Sequence, residues 1–338
     1  MHIRAERLIL RLAQPFKIAH GTSTTRENVL VRLEDGPYTG LGEASLPPYY
    51  PHSAPDVIAA LETPAVAAAF EQPDPLEHLP ADLPPPARAA LDMAWHDLWG
   101  QRQGQPLFRL WNLDPVTCPV SSFTVAMAAD ETAYRARLRA AAAYPVIKLK
   151  LGSGDWQRDL RLVEIAREEL DSDLCVDANA AWNVTDAARI IPRLGELGVT
   201  FVEQPLAVDA DWHALHAALP AEHPPVIADE SVQGLDSVGP LIGAVDGINI
   251  KLAKCGGLRP ARAMITLARE HGMRVLIGCM VESGLGVTAA AHLAPLADYA
   301  DLDGHLLLAE NPFEGVCNVA GRLTLPDTPG LGVKAYAE

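Results

Sequence analysis

The chain has 338 residues, of which 49% are hydrophobic and 21% charged. That is too apolar for a disordered protein and long enough for one large α/β domain with a smaller companion. A formal net charge of −16 argues against nucleic acid or an anionic membrane surface as a partner.

Charges are scattered through Met1–Arg7 and no signal-peptide core follows, nor is any apolar run long enough to span a bilayer. The five cysteines (Cys118, Cys175, Cys255, Cys279 and Cys317) are odd in number and widely spaced, with no C-x-x-C. This pattern fits a reduced cytoplasmic protein without structural zinc.

Residues 1 to about 33 are predicted to form antiparallel strands, with Val29-Leu30-Val31-Arg32-Leu33 running into the turn Glu34-Asp35-Gly36-Pro37. A further strand leads into the Pro- and Tyr-rich loop Gly42–Tyr50. Helices are expected around 54–70 and 86–100, separated by Pro80, Pro84, Pro85 and Pro86.

From about residue 118 the texture changes. Strand-length apolar runs at Val120–Val125, Val146–Lys150, Leu174–Asp177, Thr200–Glu203, Val226–Asp229, Gly247–Lys251, Arg274–Cys279 and Tyr299–Asp303 alternate with helix-length amphipathic segments such as Glu131–Ala143, Trp156–Leu170, Thr185–Leu197 and Pro260–His271. Strict alternation implies βα units and a parallel sheet, and eight strands suggest a closed barrel. An open doubly wound sheet is the alternative, but no G-x-G-x-x-G follows any strand. The expected fold is α/β, a (β/α)7β TIM-like barrel over 116–309. An α+β capping domain over 1–115 is rejoined by the tail 310–338.

Five runs end in a charged residue: Lys150, Asp177, Glu203, Asp229 and Lys251, at intervals of 27, 26, 26 and 22 residues. These are lengths of one βα unit, so all five reach the C-terminal rim of a barrel, where active sites sit. Three carboxylates from consecutive strands repel one another unless a cation lies among them. An all-oxygen ligand set selects Mg²⁺ first and Mn²⁺ second. A single strand-end Asp is commonly a helix cap and a single Lys a solvated charge; five in register are a site. Lys150 and Lys251 then flank a metal-bound substrate. Lys148, two residues from Lys150 on the same strand face, is expected to lower the Lys150 pKa by like-charge repulsion and to hold a substrate carboxylate or enediolate.

With these residues in view, the chain resembles the enolase superfamily in its muconate-lactonizing-enzyme-like branch. The matching motifs are Lys148-Leu149-Lys150, Asp177-Ala178-Asn179, Glu203-Gln204-Pro205, Ala228-Asp229-Glu230-Ser231, Asn249-Ile250-Lys251-Leu252 and Lys254-Cys255-Gly256-Gly257. The resemblance implies that Asp177, Glu203 and Asp229 bind Mg²⁺ and that Lys150 and Lys251 are the two acid/bases, with Lys254 a competitor for the second role. Asp301-Leu302-Asp303-Gly304 on the eighth strand looks like the D-x-D of the dipeptide epimerases, whose carboxylates hold the ammonium of the N-terminal residue. By the same resemblance Cys279 and Met280 offer backbone groups to the substrate, and Thr124 is a substrate contact.

The implied reaction is a two-lysine 1,1-proton transfer at the α-carbon of the C-terminal residue of a dipeptide, L-Ala-D/L-Glu or a related L-Ala-X, by an isomerase of cell-wall peptide metabolism. The first capping loop, Ala19–Arg26, places His20 and Gly21 where an arginine is expected for a Glu side chain; Arg26 lies nearby, and Tyr49 and Tyr50 are candidates to line a hydrophobic pocket instead. The nearest alternatives are an o-succinylbenzoate synthase or a muconate-type cycloisomerase, which need no D-x-D. A Schiff-base lysine aldolase would need no carboxylate cluster. The superfamily often assembles as rings or dimers, so a homo-oligomer is compatible with the sequence. His213 and His216 read as surface residues, Trp95 and Trp99 as capping-domain core, and Cys279 as rim packing.

Overall fold

The structure, a computed structural model, describes residues 1–18, 21–48 and 50–336, with the backbone alone described at 15–18, 21 and 22. Ala19, His20 and Tyr49, which the sequence points to as substrate-facing, lie outside the described residues.

Three antiparallel strands open the chain in the order β1 (His2–Ile18), β2 (Gly21–Asp35) and β3 (Tyr38–Ala44). The turn between β2 and β3 is made where the sequence places it, with Gly36 at φ 58°, a conformation that costs glycine little. The expected helix over 54–70 is two helices, α1 (Ala54–Leu61) and α2 (Pro64–Ala69). The break follows from Thr63-Pro64: the Thr63 hydroxyl caps the Val66 amide, and Pro at the first helical position starts a new helix. Helix α3 (Pro85–Gln103) ends at the left-handed Gly104.

β2 and β3 pack on α1 and α3 through a core of Val29, Val31, Leu33, Leu91, Ala94 and Leu98. Trp95 is partly buried against this core. The approach of β3 to α3 depends on Gly40 and Gly42, where a Cβ would run into the carbonyl oxygens of Ala94 and Ala90. Gly42→Ala is therefore expected to destabilise the protein by about 1–3 kcal/mol, read as a lower urea midpoint at unchanged slope.

Eight parallel strands follow: β4 (Phe123–Val125), β5 (Val146–Lys150), β6 (Asp173–Asp177), β7 (Val199–Glu203), β8 (Val226–Ala228), β9 (Gly247–Ile250), β10 (Arg274–Gly278) and β11 (Tyr299–Asp301). They are hydrogen-bonded in sequence order, and the Ser121–Ala300 bridge brings the two edges together. The crossovers carry α4 (Glu131–Ala141), α5 (Trp156–Glu169), α6 (Val184–Glu196), α7 (Trp212–Ala218), α8 (Leu258–Glu270) and α9 (Gly284–Ala291). Their N-caps include Asp130, Asp155, Asn183, Asp211 and Ser283, each accepting a backbone N–H of the first turn. The crossover from β8 to β9 is the exception. It consists of two 3-10 turns, Leu235–Ser237 and Gly239–Leu241, because Gly234, Gly239, Pro240 and Gly243 leave no uninterrupted run for a helix.

Apolar residues on outward strand faces and inward helix faces form the main core, and Cys175, Phe201, Ile227 and Leu276 fill the barrel interior. The tail adds a hairpin, β13 (Cys317–Val319) with β14 (Arg322–Thr324), and the pair β12 (Phe313–Glu314) with β15 (Lys334–Ala335). It touches the N-terminal third: Leu331 N–H donates to Asp97 at 2.8 Å and Leu107 N–H to Gly330 O at 2.9 Å, while Ala309, just before the tail, donates its N–H to Arg11 O at 2.8 Å. Among the described residues, no helix is long and apolar enough to cross a membrane.

Candidate active site

Inward-pointing positions recur every second residue along a strand, and here they bring the polar strand ends together. Lys150, Asp177 and Glu203 are the last residues of β5, β6 and β7; Asp229 and Lys251 follow directly on β8 and β9. Asp177, Glu203 and Asp229 are buried, and each offers a carboxylate oxygen within 4.8 Å of the others.

Amines surround this row. Lys150 Nζ lies 2.6 Å from Asp177 Oδ2 on one side, and Lys251 Nζ lies 2.7 Å from Asp229 Oδ2 on the other. Lys254, on the single helical turn after β9, donates to Asp229 Oδ1 at 2.5 Å. Lys148 sits inside the barrel, 0% exposed, with Nζ 2.7 Å from Glu203, 2.7 Å from Asp301 and 3.3 Å from Asp177. Where the sequence offers Lys148 as a substrate contact, the structure commits its amine to three protein carboxylates.

The charges settle accordingly. Burial works against ionisation throughout. At Asp177 the attraction of Lys150 and Lys148 overcomes it and holds the carboxyl down at about 2; at Asp229, Lys251 and Lys254 do the same, well below the usual range. Burial would lower the pKa of Lys148, but Asp301, Glu203, Asp177 and Asp229 raise it well above that of a free lysine. Glu203 goes the other way. Burial, with repulsion from Asp177 and Asp229, outweighs Lys148 and pushes it up to about 8.

A cleft opens above this row. Its walls include Lys150, Lys251, Asp229, Thr124, Cys279, Met280, Asp301 and Asp303 from the barrel. Arg26, Ser45, Pro47 and Tyr50 contribute from the N-terminal third. Asp301 accepts from Ser122 Oγ at 2.6 Å and from Lys148, while Asp303 accepts from the Thr124 backbone N–H at 2.7 Å. Burial and the neighbouring Asp301 push Asp303 up to about 6. The Cys279 thiol is raised well above its usual value by burial, in keeping with a packing role.

Several members of this arrangement are not picked out by the strand-end pattern. Asn249 donates to Glu203 Oε1 at 2.9 Å from inside β9. A Cβ on Gly278 would meet Asn249 Oδ1 at 2.5 Å and Lys251 Cε at 3.0 Å, so glycine there leaves room for both. Gln204, buried with φ 37°, accepts the Asp229 N–H at 2.7 Å and donates to Ser231 Oγ at 2.9 Å. Glu230 lines the cleft and is pushed up to about 7 by burial and by Asp229. Asn249, Gln204 and Glu230 stand inside the quoted motifs, and that adjacency was their only signal in the sequence.

The donor set fits a hard divalent cation. Six carboxyl groups (Asp177, Glu203, Asp229, Glu230, Asp301 and Asp303) share the barrel mouth with the amines of Lys148, Lys150, Lys251 and Lys254. Glu230 Oε2 and Asn179 Oδ1 are buried there without a hydrogen-bond donor among the described residues. Excess acceptors with no sulfur or imidazole among the clustered ligands are what a magnesium-like ion takes.

Residues 3–111 match the family described as mandelate racemase / muconate lactonizing enzyme, N-terminal domain, and residues 131–338 match the enolase C-terminal domain-like family. An L-Ala-D/L-Glu epimerase of Bacteroides thetaiotaomicron is 37% identical over 96% of this chain and 85% of its own length. Among solved structures, the substrate-liganded L-Ala-D/L-Glu epimerase of Bacillus subtilis superposes with a TM-score of 0.89 at 28% identity, covering 100% of this chain and 99% of its own. The dipeptide epimerase of Enterococcus faecalis, complexed with Mg and L-Leu-L-Tyr, gives 0.88 at 27% identity and 99% of both chains. Motifs, barrel and cap agree, and the chain belongs to the mandelate racemase / muconate lactonizing enzyme family, with an enolase-type C-terminal barrel.

Proposed function

We propose that this protein is an isomerase, a Mg²⁺-dependent dipeptide epimerase that inverts the α-carbon of the C-terminal residue of an L-Ala-X dipeptide. The observation that carries the reading is the bracket of two rim lysines, Lys150 and Lys251, around a buried three-carboxylate row, with Asp301 and Asp303 in the wall of the same cleft.

Asp177, Glu203 and Asp229 would hold the cation, and Mn²⁺ would serve in its place. When bound, it supplies fixed positive charge beside the substrate carboxylate, where negative charge develops. One lysine, as the neutral amine, takes the α-proton, and the C–H electron pair moves into the carboxylate to give an enediolate. The opposite lysine, as the ammonium, returns a proton to the other face. The two amines finish with their protonation states exchanged, so each direction uses the same pair.

Lys148 acts as the buried counter-charge that lets Asp177, Glu203 and Asp301 share one pocket. Asp301 and Asp303 receive the substrate ammonium, with Thr124 positioning Asp303, and Cys279 and Met280 present backbone groups. Residues 1–115 with 310–338 serve as the cap and 116–309 as the barrel, a division supported by the tail's contacts with Asp97 and Leu107. Five cysteines without a disulfide among them fit the cytoplasm.

The test is a panel of L-Ala-X dipeptides incubated with enzyme and Mg²⁺ in D₂O and read by mass spectrometry. Gain of a single α-deuteron together with appearance of the second diastereomer is expected for at least one member. No exchange in any of them would remove the epimerase reading.

A further inference from the structure

Two wall segments of the cleft come from different parts of the chain: Ser45 and Pro47 after β3, and Met280 and Val281 after β10. One buried group joins them. Glu43, near the end of β3 and 1% exposed, reaches across to the start of α9. Its carboxylate accepts the Ser283 N–H at 3.1 Å, the Ser283 hydroxyl at 2.5 Å and the Gly286 N–H at 3.2 Å. The amides of a first helical turn have no partner within the helix, and the dipole there favours an anion; Glu43 meets both needs from another part of the chain.

Asn28 on β2 completes the joint. Its amide donates to Glu43 at 2.7 Å and to Val281 O at 3.3 Å, and its carbonyl accepts the Leu46 N–H at 3.0 Å. Both wall segments are thus tied to one Asn–Glu pair, each through a backbone group. On the barrel side, Glu282 accepts the Met280 N–H at 3.0 Å and shapes the same loop. Glu43 and Asn28 do not themselves line the cleft.

We propose that Glu43, held by Asn28, is a positioning residue that clamps the 279–283 rim loop to the 45–47 segment and so sets the width of the cleft over the substrate. The inference rests on the cleft being the dipeptide site; the joint itself is independent of that. Charge-assisted bonds to a buried carboxylate are the strong ones. Glu43→Gln keeps the side-chain shape but presents an N–H where an acceptor is needed, so the loop loosens without a cavity being opened.

In the Mg²⁺-loaded protein, Glu43→Gln is expected to speed amide hydrogen exchange over 279–290 at least about tenfold, with 146–150 unchanged. With the most active dipeptide of the panel, KM should rise about tenfold while kcat stays within about twofold. Glu43→Leu should move both further in the same direction. If Glu43→Leu does not fold, Glu43→Gln alone decides. Wild-type exchange over 279–290, or an unchanged KM beside a lowered melting temperature, would overturn the clamp and leave Glu43 a merely structural residue. Should the wild-type chain act on no dipeptide, the epimerase reading falls, and the exchange arm still decides the clamp.

Discussion

Lys251→Ala is expected to abolish epimerisation while leaving half of the chemistry in place, and Lys150→Ala to do the same from the opposite face. Each lysine meets one face of the α-carbon in the proposed mechanism. Removing one therefore blocks inversion but spares proton exchange on the face still served. The loss should be about 10²–10⁴-fold or more in turnover, the range carried by a single positioned acid/base. A folding defect is not expected. Asp229 keeps Lys254 at 2.5 Å when Lys251 is removed, and Asp177 keeps Lys148 at 3.3 Å when Lys150 is removed. The decisive readout is stereochemical. In D₂O, one variant should exchange the α-proton of the L,L dipeptide only and the other that of the L,D dipeptide only. Full turnover in either variant would end the two-base mechanism.

Neutralising the carboxylate row is expected to have the second large effect, and the three acids should behave differently without metal. In the loaded enzyme, Asp177→Asn, Glu203→Gln and Asp229→Asn should each remove turnover and the rise in melting temperature that Mg²⁺ gives wild type. That rise corresponds to about 2.7 kcal/mol at a hundredfold excess over Kd. In the metal-free protein the signs separate. Asp177 and Asp229 have folded-state pKa values below their unfolded ones, so their ionisation stabilises the fold at neutral pH, and that contribution is lost as pH falls through the folded values. Their asparagine variants should melt lower. Glu203 is raised to about 8 by burial and by its two neighbours, against the pull of Lys148. Its contribution is present below the unfolded pKa and fades as pH rises through about 8. Metal-free Glu203→Gln should therefore be at least as stable as wild type at pH 7. Differential scanning fluorimetry with EDTA and with Mg²⁺ reads both halves.

Much of this site is written locally, which is why the sequence shows it. A charged residue ending an apolar run of strand length marks one rim position, and Lys150, Asp177 and Glu203 close their strands as that pattern predicts. Asp229 and Lys251 fall one residue past the last paired residue of β8 and β9. Their inward direction survives because the alternation continues beyond the ladder.

What the sequence does not show is pairing across long separations. Spacing puts Lys148 on the face of Lys150, but not beside Asp301, which is 153 residues away. Nothing near Glu43 points to Ser283, and nothing near Asn28 points to Val281; those contacts exist only once the cap sits on the barrel. The β8–β9 crossover is a different kind of difference. Its Gly and Pro content is visible, yet the regularity of the surrounding βα units invites a helix where two 3-10 turns stand.

In the proposed mechanism a bound dipeptide presents its C-terminal α-carbon between the amines of Lys150 and Lys251. The most direct measurement is a crystal structure of this protein with Mg²⁺ and its most active dipeptide. The cation is expected on Asp177, Glu203 and Asp229, and the two Nζ atoms on opposite faces of that carbon within about 3–3.5 Å of it. Both amines on one face, or the ammonium rather than the carboxylate end of the dipeptide beside the cation, would contradict it.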